Sequence, residues 1–157
     1  MKYIVNPPGK SISKMYLKQK PLRADFDVFV LELKYLLNSI NLNESEEHNK
    51  GFLSNFLKNT FYKNNCVNTK DRADLVIYSG ADSKSKAGAL IEVKHPLNSS
   101  EMITKTNLNA KAMHEAMLYY FRERIEEKND EIKHVVITNI YEWFIFDAQV
   151  FEQVFFR

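Results

Sequence analysis

The sequence predicts an α/β domain, a mixed central β-sheet flanked by helices, and three observations carry that prediction. Apolar residues recur at helical spacing in three stretches, 24–40, 44–62 and 108–128. Five shorter runs have strand character, three ahead of the last helical stretch and two after it. The resulting order is helix, helix, three strands, helix, two strands. Elements in that order pack as helical layers on a sheet. A chain of 157 residues is long enough to bury a core and short enough to be one domain.

Residues 1–22 are basic and broken by Pro7, Pro8, Gly9 and Pro21. Proline and glycine punctuate structure, so this stretch reads as an extended N-terminal arm ahead of a single domain over 23–157. Asn6-Pro7-Pro8-Gly9 has the outline of the Asn-Pro-Pro-aromatic motif of adenine methyltransferases. Glycine stands where that motif needs a ring to stack on the base, and no cofactor-binding glycine loop precedes it. A turn is the better reading.

Phe26, Phe29, Val30, Leu33, Leu36, Leu37 and Ile40 give the first helix a wide apolar face, and Asn41-Leu42-Asn43 breaks it. Residues 44–62 predict the second helix, with Phe52, Leu53, Phe56, Leu57 and Phe61 on one side. Its first turn carries acids, which suit the positive end of the helix dipole. Strands are expected at 66–69, 75–78 and 88–93. The linker 96–107, with Asn98, Ser99, Ser100, Thr104 and Lys105, has an ordinary polar-loop composition. Residues 108–128 predict the longest helix, marked by Ala112, Met113, Ala116, Met117, Tyr120 and Phe121; its charged end, 122–128, reads as solvated. Two strands close the domain, 134–138 and 142–146, with a tight link at 139–141. Phe151, Val154, Phe155 and Phe156 form an apolar tail that needs a surface to pack on.

Composition narrows the class. With 45% hydrophobic and 27% charged residues the chain matches ordinary globular proteins. A net charge of +2 permits nucleic-acid binding without arguing for it. The single cysteine, Cys66, excludes an internal disulfide and fits a reducing compartment, so a cytoplasmic location is expected. No apolar run approaches membrane-spanning length, and the first residues lack the apolar core of a signal peptide, so no membrane is expected.

The chemistry concentrates between Asp74 and Lys94. Read as a hairpin, this stretch sets an acid at the start of one strand beside Glu92 and Lys94 at the end of the next. Hydrolysing a phosphodiester requires charge neutralisation at the phosphate and a hydroxide equivalent, and hard divalent cations on oxygen ligands supply both. Asp74, Glu92 and the carbonyl of Val93 would hold Mg²⁺, with Mn²⁺ able to substitute. Lys94 lies two residues after Glu92, on the same strand face. There it can orient the attacking water or stabilise the pentacoordinate transition state. Charged strand ends that merely reach solvent are the plain alternative.

The stretch resembles the PD-(D/E)XK nuclease superfamily, whose core is helix, three strands, helix, strand. The order matches over roughly residues 44–147, although Ala73 stands where the superfamily motif has proline. Glu47-His48-Asn49-Lys50, followed by Leu53, Phe56 and Leu57, looks like the first helix of restriction-enzyme nuclease domains. With Asn68 to Ile77, Ile91 to Pro96 and Thr138 to Asp147, it resembles the N-terminal nuclease domain of type IIG restriction–modification enzymes. The resemblance implies a restriction-endonuclease-like core and an accessory acid, Glu47, near the metal. It also implies a helical connector, an adenine methyltransferase and a target-recognition domain in the same polypeptide.

Other residues fall around this centre. Lys70, Arg72 and His95 flank the acids and could contact DNA phosphates. His114, with Tyr119 or Tyr120 after it, lies where related nucleases carry a glutamine and a tyrosine facing the site, and there it could donate to a DNA phosphate oxygen or a metal-bound water. His114 also lines up with Leu118, Phe121 and Ile125, which favours a half-buried structural role. Trp143, Phe144 and Phe146 alternate along a strand and read as core. No zinc spacing, nucleophile elbow or phosphate-binding glycine loop is present.

The expected function is a Mg²⁺-dependent endodeoxyribonuclease acting on duplex DNA, the nuclease domain of a type II restriction enzyme, with dimerisation one route to double-strand cleavage. The alternative is a nuclease-like fold serving as a non-catalytic DNA-binding or assembly module. RNA or branched DNA is compatible with the same chemistry.

Overall fold

A computed structural model describes residues 5–70 and 73–156. Five strands form one mixed sheet in the order β1-β2-β3-β4-β5. They are β1 (Val67–Lys70), β2 (Ala73–Tyr78), β3 (Ala87–Val93), β4 (His134–Thr138) and β5 (Trp143–Asp147). All neighbouring pairs are antiparallel except β3 and β4, which run parallel. A parallel pair needs a crossover between its strands. Helix α4 (Lys111–Phe121), continued by a wider π-type turn at Arg122–Glu126, provides it.

Strand alternation sends the sheet's side chains to two cores. Leu75, Ile77, Ala89, Ile91, Val93 and Val136 face one way and meet Leu36, Leu53, Phe56 and Leu57. Those four come from α2 (Arg23–Ser39) and α3 (Glu46–Asn59). Val76, Tyr78, Leu90, Val135 and Ile137 face the other way and meet Ala112, Met113, Ala116 and Tyr120 of α4. Because β2, β3 and β4 are covered on both faces, they read as continuous apolar runs, whereas β5 alternates.

The expected α/β architecture is the one found, with boundaries shifted by a few residues. The arm at 1–22 holds two short helical turns, α1 (Pro8–Ser11) and Tyr16–Lys18, where an extended chain was expected; residues 5–22 are exposed. The apolar tail forms a further helix, α5 (Ala148–Phe155), capped by Asp147, whose carboxylate accepts from the Gln149 and Val150 N–H groups at 3.0 Å each. Phe151 is buried against Tyr120, with ring centroids 5.4 Å apart. The tail's surface is therefore the α4 side of the sheet. Phe144 and Phe146 pack against that core as expected, while Trp143 stays exposed at the strand's rim.

The expectation of a solvated 122–128 fails at Glu123, which is buried and pairs with Lys70 of β1. The π-type turn changes the angular phase of the residues after it, so the α-helical period no longer tells which of them face outward. Among the described residues no helix is long and apolar enough to cross a membrane.

Candidate active site

The hairpin β2–β3 assembles the site. Its register pairs Leu75 with Ile91, so Asp74 and Glu92 arrive next to each other at one end of the sheet. Alternation puts Glu92 and Lys94 on one face, and Lys94 Nζ lies 2.6 Å from Glu92 Oε1. Glu92 and Lys94 are only 2% and 4% exposed, which excludes the plain reading of charges that reach solvent.

The backbone under these side chains is held firmly. The Lys94 N–H donates to the Thr138 carbonyl at 2.8 Å, carrying the β3–β4 ladder one residue past Val93. Thr138 is fixed in turn, because its Oγ1 donates to the Glu142 carbonyl at 2.8 Å and accepts from the Ile140 N–H at 2.9 Å. Asp74 Oδ2 accepts from the Val93 N–H at 2.8 Å.

Two helices, one on each face of the sheet, complete the cluster. Lys50 of α3 reaches Asp74 Oδ1 at 3.0 Å and also pairs with Glu47 one turn back on the same helix. Glu115 of α4 accepts from Lys94 Nζ at 2.7 Å. One turn further along α4, the Tyr119 phenol lies in the field of the same acids. Burial first, then Glu92, Glu115 and Asp74, push its pKa up to about 12.

Glu92 carries the sharpest electrostatic conflict. Burial, and then Asp74 beside it, push its carboxyl up to about 9, against the opposing pull of Lys94. Its Oε2 is buried and has no donor. Glu115 itself stays below the usual carboxylate range: burial opposes ionisation, and the hydrogen bond and charge of Lys94 overcome it. Lys94 is likewise desolvated, yet its bonds to Glu115 and Glu92 raise its pKa, so it remains an ammonium ion.

The donor set fits a hard divalent cation. Asp74 and Glu92 are neighbouring carboxylates, Glu92 Oε2 needs a positive partner, and the Val93 carbonyl lies in the chain between Glu92 and Lys94. Among the described residues no three His, Cys, Asp or Glu side chains converge as a metal-binding group. A cation here would therefore draw on two carboxylates, main-chain oxygen and solvent, as Mg²⁺ sites do.

The structure brings Asp74, Glu92, Lys94 and, through Lys50, Glu47 together. Glu47 lies at the rim with its side chain largely exposed, as its helical phase predicts. The flanking candidates fare differently. Lys70 turns away to pair with Glu123. His95 is half-buried and serves as a connector: its N–H donates to Glu46 at 2.6 Å, and its ring nitrogens engage the Glu44 carbonyl and the Leu97 N–H. Arg72 lies outside the described residues. The half-buried role expected for His114 does not hold; it is exposed and bonds the Asn109 side chain at 2.9 Å. The next residue, Glu115, is the one that faces the site. Tyr119, not Tyr120, accompanies it, since Tyr120 donates to Glu152 of α5 at 2.8 Å.

Sequence reasoning missed Lys50 and Glu115 as site residues. A signal existed for Lys50, which is in helical phase with the core residues Leu53 and Leu57. A lysine in a core phase needs a buried partner. A cleft of about 400 Å³ lies at the opposite end of the sheet between Arg124, His134 and Glu152 and includes none of these residues.

No curated protein and no solved structure matches the chain. The family model described as "Domain of unknown function (DUF7149)" matches residues 6–157, nearly the whole length, and the chain belongs to that family.

Proposed function

We propose that the chain is a metal-dependent endodeoxyribonuclease domain with a restriction-endonuclease-like core, of the kind found at the N-terminus of type IIG restriction–modification enzymes. One observation carries the reading: Asp74, Glu92 and Lys94 meet, largely buried, at the adjoining ends of two antiparallel strands. The motif resemblance over residues 44–147 supports it, as does a sheet in which β3 and β4 run parallel around α4.

Asp74, Glu92 and the Val93 carbonyl would hold a Mg²⁺ or Mn²⁺ ion, which would supply charge neutralisation at the phosphate and acidify water. The chain's own groups do the rest. Lys94, an ammonium anchored by Glu92 and Glu115, keeps one N–H to donate to the attacking water or to the phosphate oxygen that gains charge. Its two carboxylate anchors fix its direction, which removes a reorganisation cost from the reaction. Asp74 is oriented by the Val93 N–H, and Glu47 assists from the rim.

DNA is the partner. A near-neutral chain has modest affinity for phosphate backbones, so further domains of a parent polypeptide, a helical connector, an adenine methyltransferase and a target-recognition domain, would deliver the duplex. Dimerisation would allow both strands to be cut. The test is cleavage of supercoiled plasmid with Mg²⁺ or Mn²⁺ by the intact protein and by Lys94→Ala; equal rates would overturn the reading.

One observation favours a second reading. Lys50 and Lys94 already stand against Asp74 and Glu92, so the cluster carries cationic partners of its own. A non-catalytic DNA-binding or assembly module would retain such pairs for stability alone. Calorimetric titration with Mn²⁺ separates the two, because a pure binding module shows no Asp74-dependent site.

A further inference from the structure

We propose that Lys50 is the built-in counter-ion of this site and that a divalent cation must displace its ammonium from Asp74 in order to bind. The inference rests on the metal-site reading above and adds a competitor to it. Both oxygens of Asp74 are engaged. Oδ2 accepts from the Val93 N–H at 2.8 Å, a main-chain bond fixed by the sheet. Oδ1 accepts from Lys50 Nζ at 3.0 Å. A cation that takes Asp74 as a ligand must therefore contend with the Lys50 charge on the same carboxylate, and like charges sharing one small anion repel strongly where water is scarce.

The geometry also provides a place for the displaced charge. Lys50 is paired at the same time with Glu47, whose side chain is largely solvent-exposed at the rim. The lysine stem has four rotatable carbons, so its ammonium can leave Asp74 and keep Glu47 without movement of α3. Its ammonium is paired with two carboxylates, Glu47 and Asp74, so a metal arriving at Asp74 meets a cation already in place. Lys50 thus acts on the metal through Asp74 and is a positioning residue. It holds Asp74 in the metal-free protein and sets a threshold for loading.

The test uses the full chain and Mn²⁺ alone, read by calorimetry. Lys50→Met should bind Mn²⁺ about tenfold more tightly or better than wild type, whereas Lys50→Arg, which keeps the charge, should stay close to wild type. Unchanged or weaker binding in Lys50→Met overturns the proposal. A measurement on the wild type covers the case in which Lys50→Met does not fold. Acylation of lysine amines read by mass spectrometry should find Lys50 protected without metal and modified at saturating Mn²⁺; protection that persists at saturation overturns the proposal. Asp74→Asn distinguishes the two failures. Asp74-dependent binding with no effect of Lys50 leaves the metal site standing and removes only the competitor. Mn²⁺ binding to none of the proteins removes both.

Discussion

Two glutamates are buried beside lysines in this molecule, and they are satisfied very differently. Glu123, on the π-type turn, has a partner on each oxygen: Lys70 of β1 on Oε1 and the Asn129 side chain, at 3.1 Å, on Oε2. Asn129 also donates to the Ala87 carbonyl at 2.9 Å, which ties the crossover to the start of β3. Glu92 has Lys94 on Oε1, nothing on Oε2, and Asp74 as a neighbour. Burial alone therefore does not make two acids alike. What separates them is whether the second oxygen is satisfied and whether a like charge stands alongside.

That contrast can be broken most easily by activity. Lys94→Ala should reduce Mg²⁺-dependent plasmid cleavage by about a hundredfold or more, the scale of losing one preorganised charge at a transition state. Lys70→Ala should leave cleavage per folded molecule close to wild type, because its ammonium is committed to Glu123. Comparable losses in both variants would erase the distinction drawn here.

Stability should show the reverse order. Glu123→Ala strands Lys70 and leaves Asn129 short of a partner, and should cost about 2–4 kcal/mol in urea unfolding. Glu92→Gln removes the conflict with Asp74 and supplies a donor, so it should be neutral or stabilising in metal-free buffer.

The smallest and most specific effect is the pH slope. The folded pKa of Glu92 is raised from 4.5 to about 9, so between those values the folded state holds a proton that the unfolded chain has lost. Unfolding then releases that proton. The Glu92 contribution to stability is present below the unfolded pKa and is lost as pH rises toward about 9. Thermal melts from pH 5 to 9 in chelator should show this decline, and Glu92→Gln should flatten it. An identical slope in the variant would mean that Glu92 is not the group responsible.

Much of this was legible in the residues. The three helices and five strands follow from local apolar period, which depends on neighbours a few positions away. The errors share a cause. The sequence favours a half-buried structural role for His114 and does not single out Glu115, because one position of phase on α4 decides which side chain meets Lys94. Glu123 was read as solvated because a π-type turn and a strand 53 residues away decide its burial. The tail 148–155 showed its need for a partner but not which face of the sheet would provide one.

By itself, the sequence determined that Glu92 and Lys94 share a face and that Asp74 lies across a hairpin from them. The period of a strand is two wherever the strand sits. Only the tertiary structure decided how those charges are balanced. Lys50 meets Asp74 across 24 residues, and Glu115 meets Lys94 across 21. Each comes from a helix on a different face of the sheet. Local pattern can specify a pair of strand ends, but neutralising a buried carboxylate depends on which distant element packs over it, and packing is a property of the whole fold.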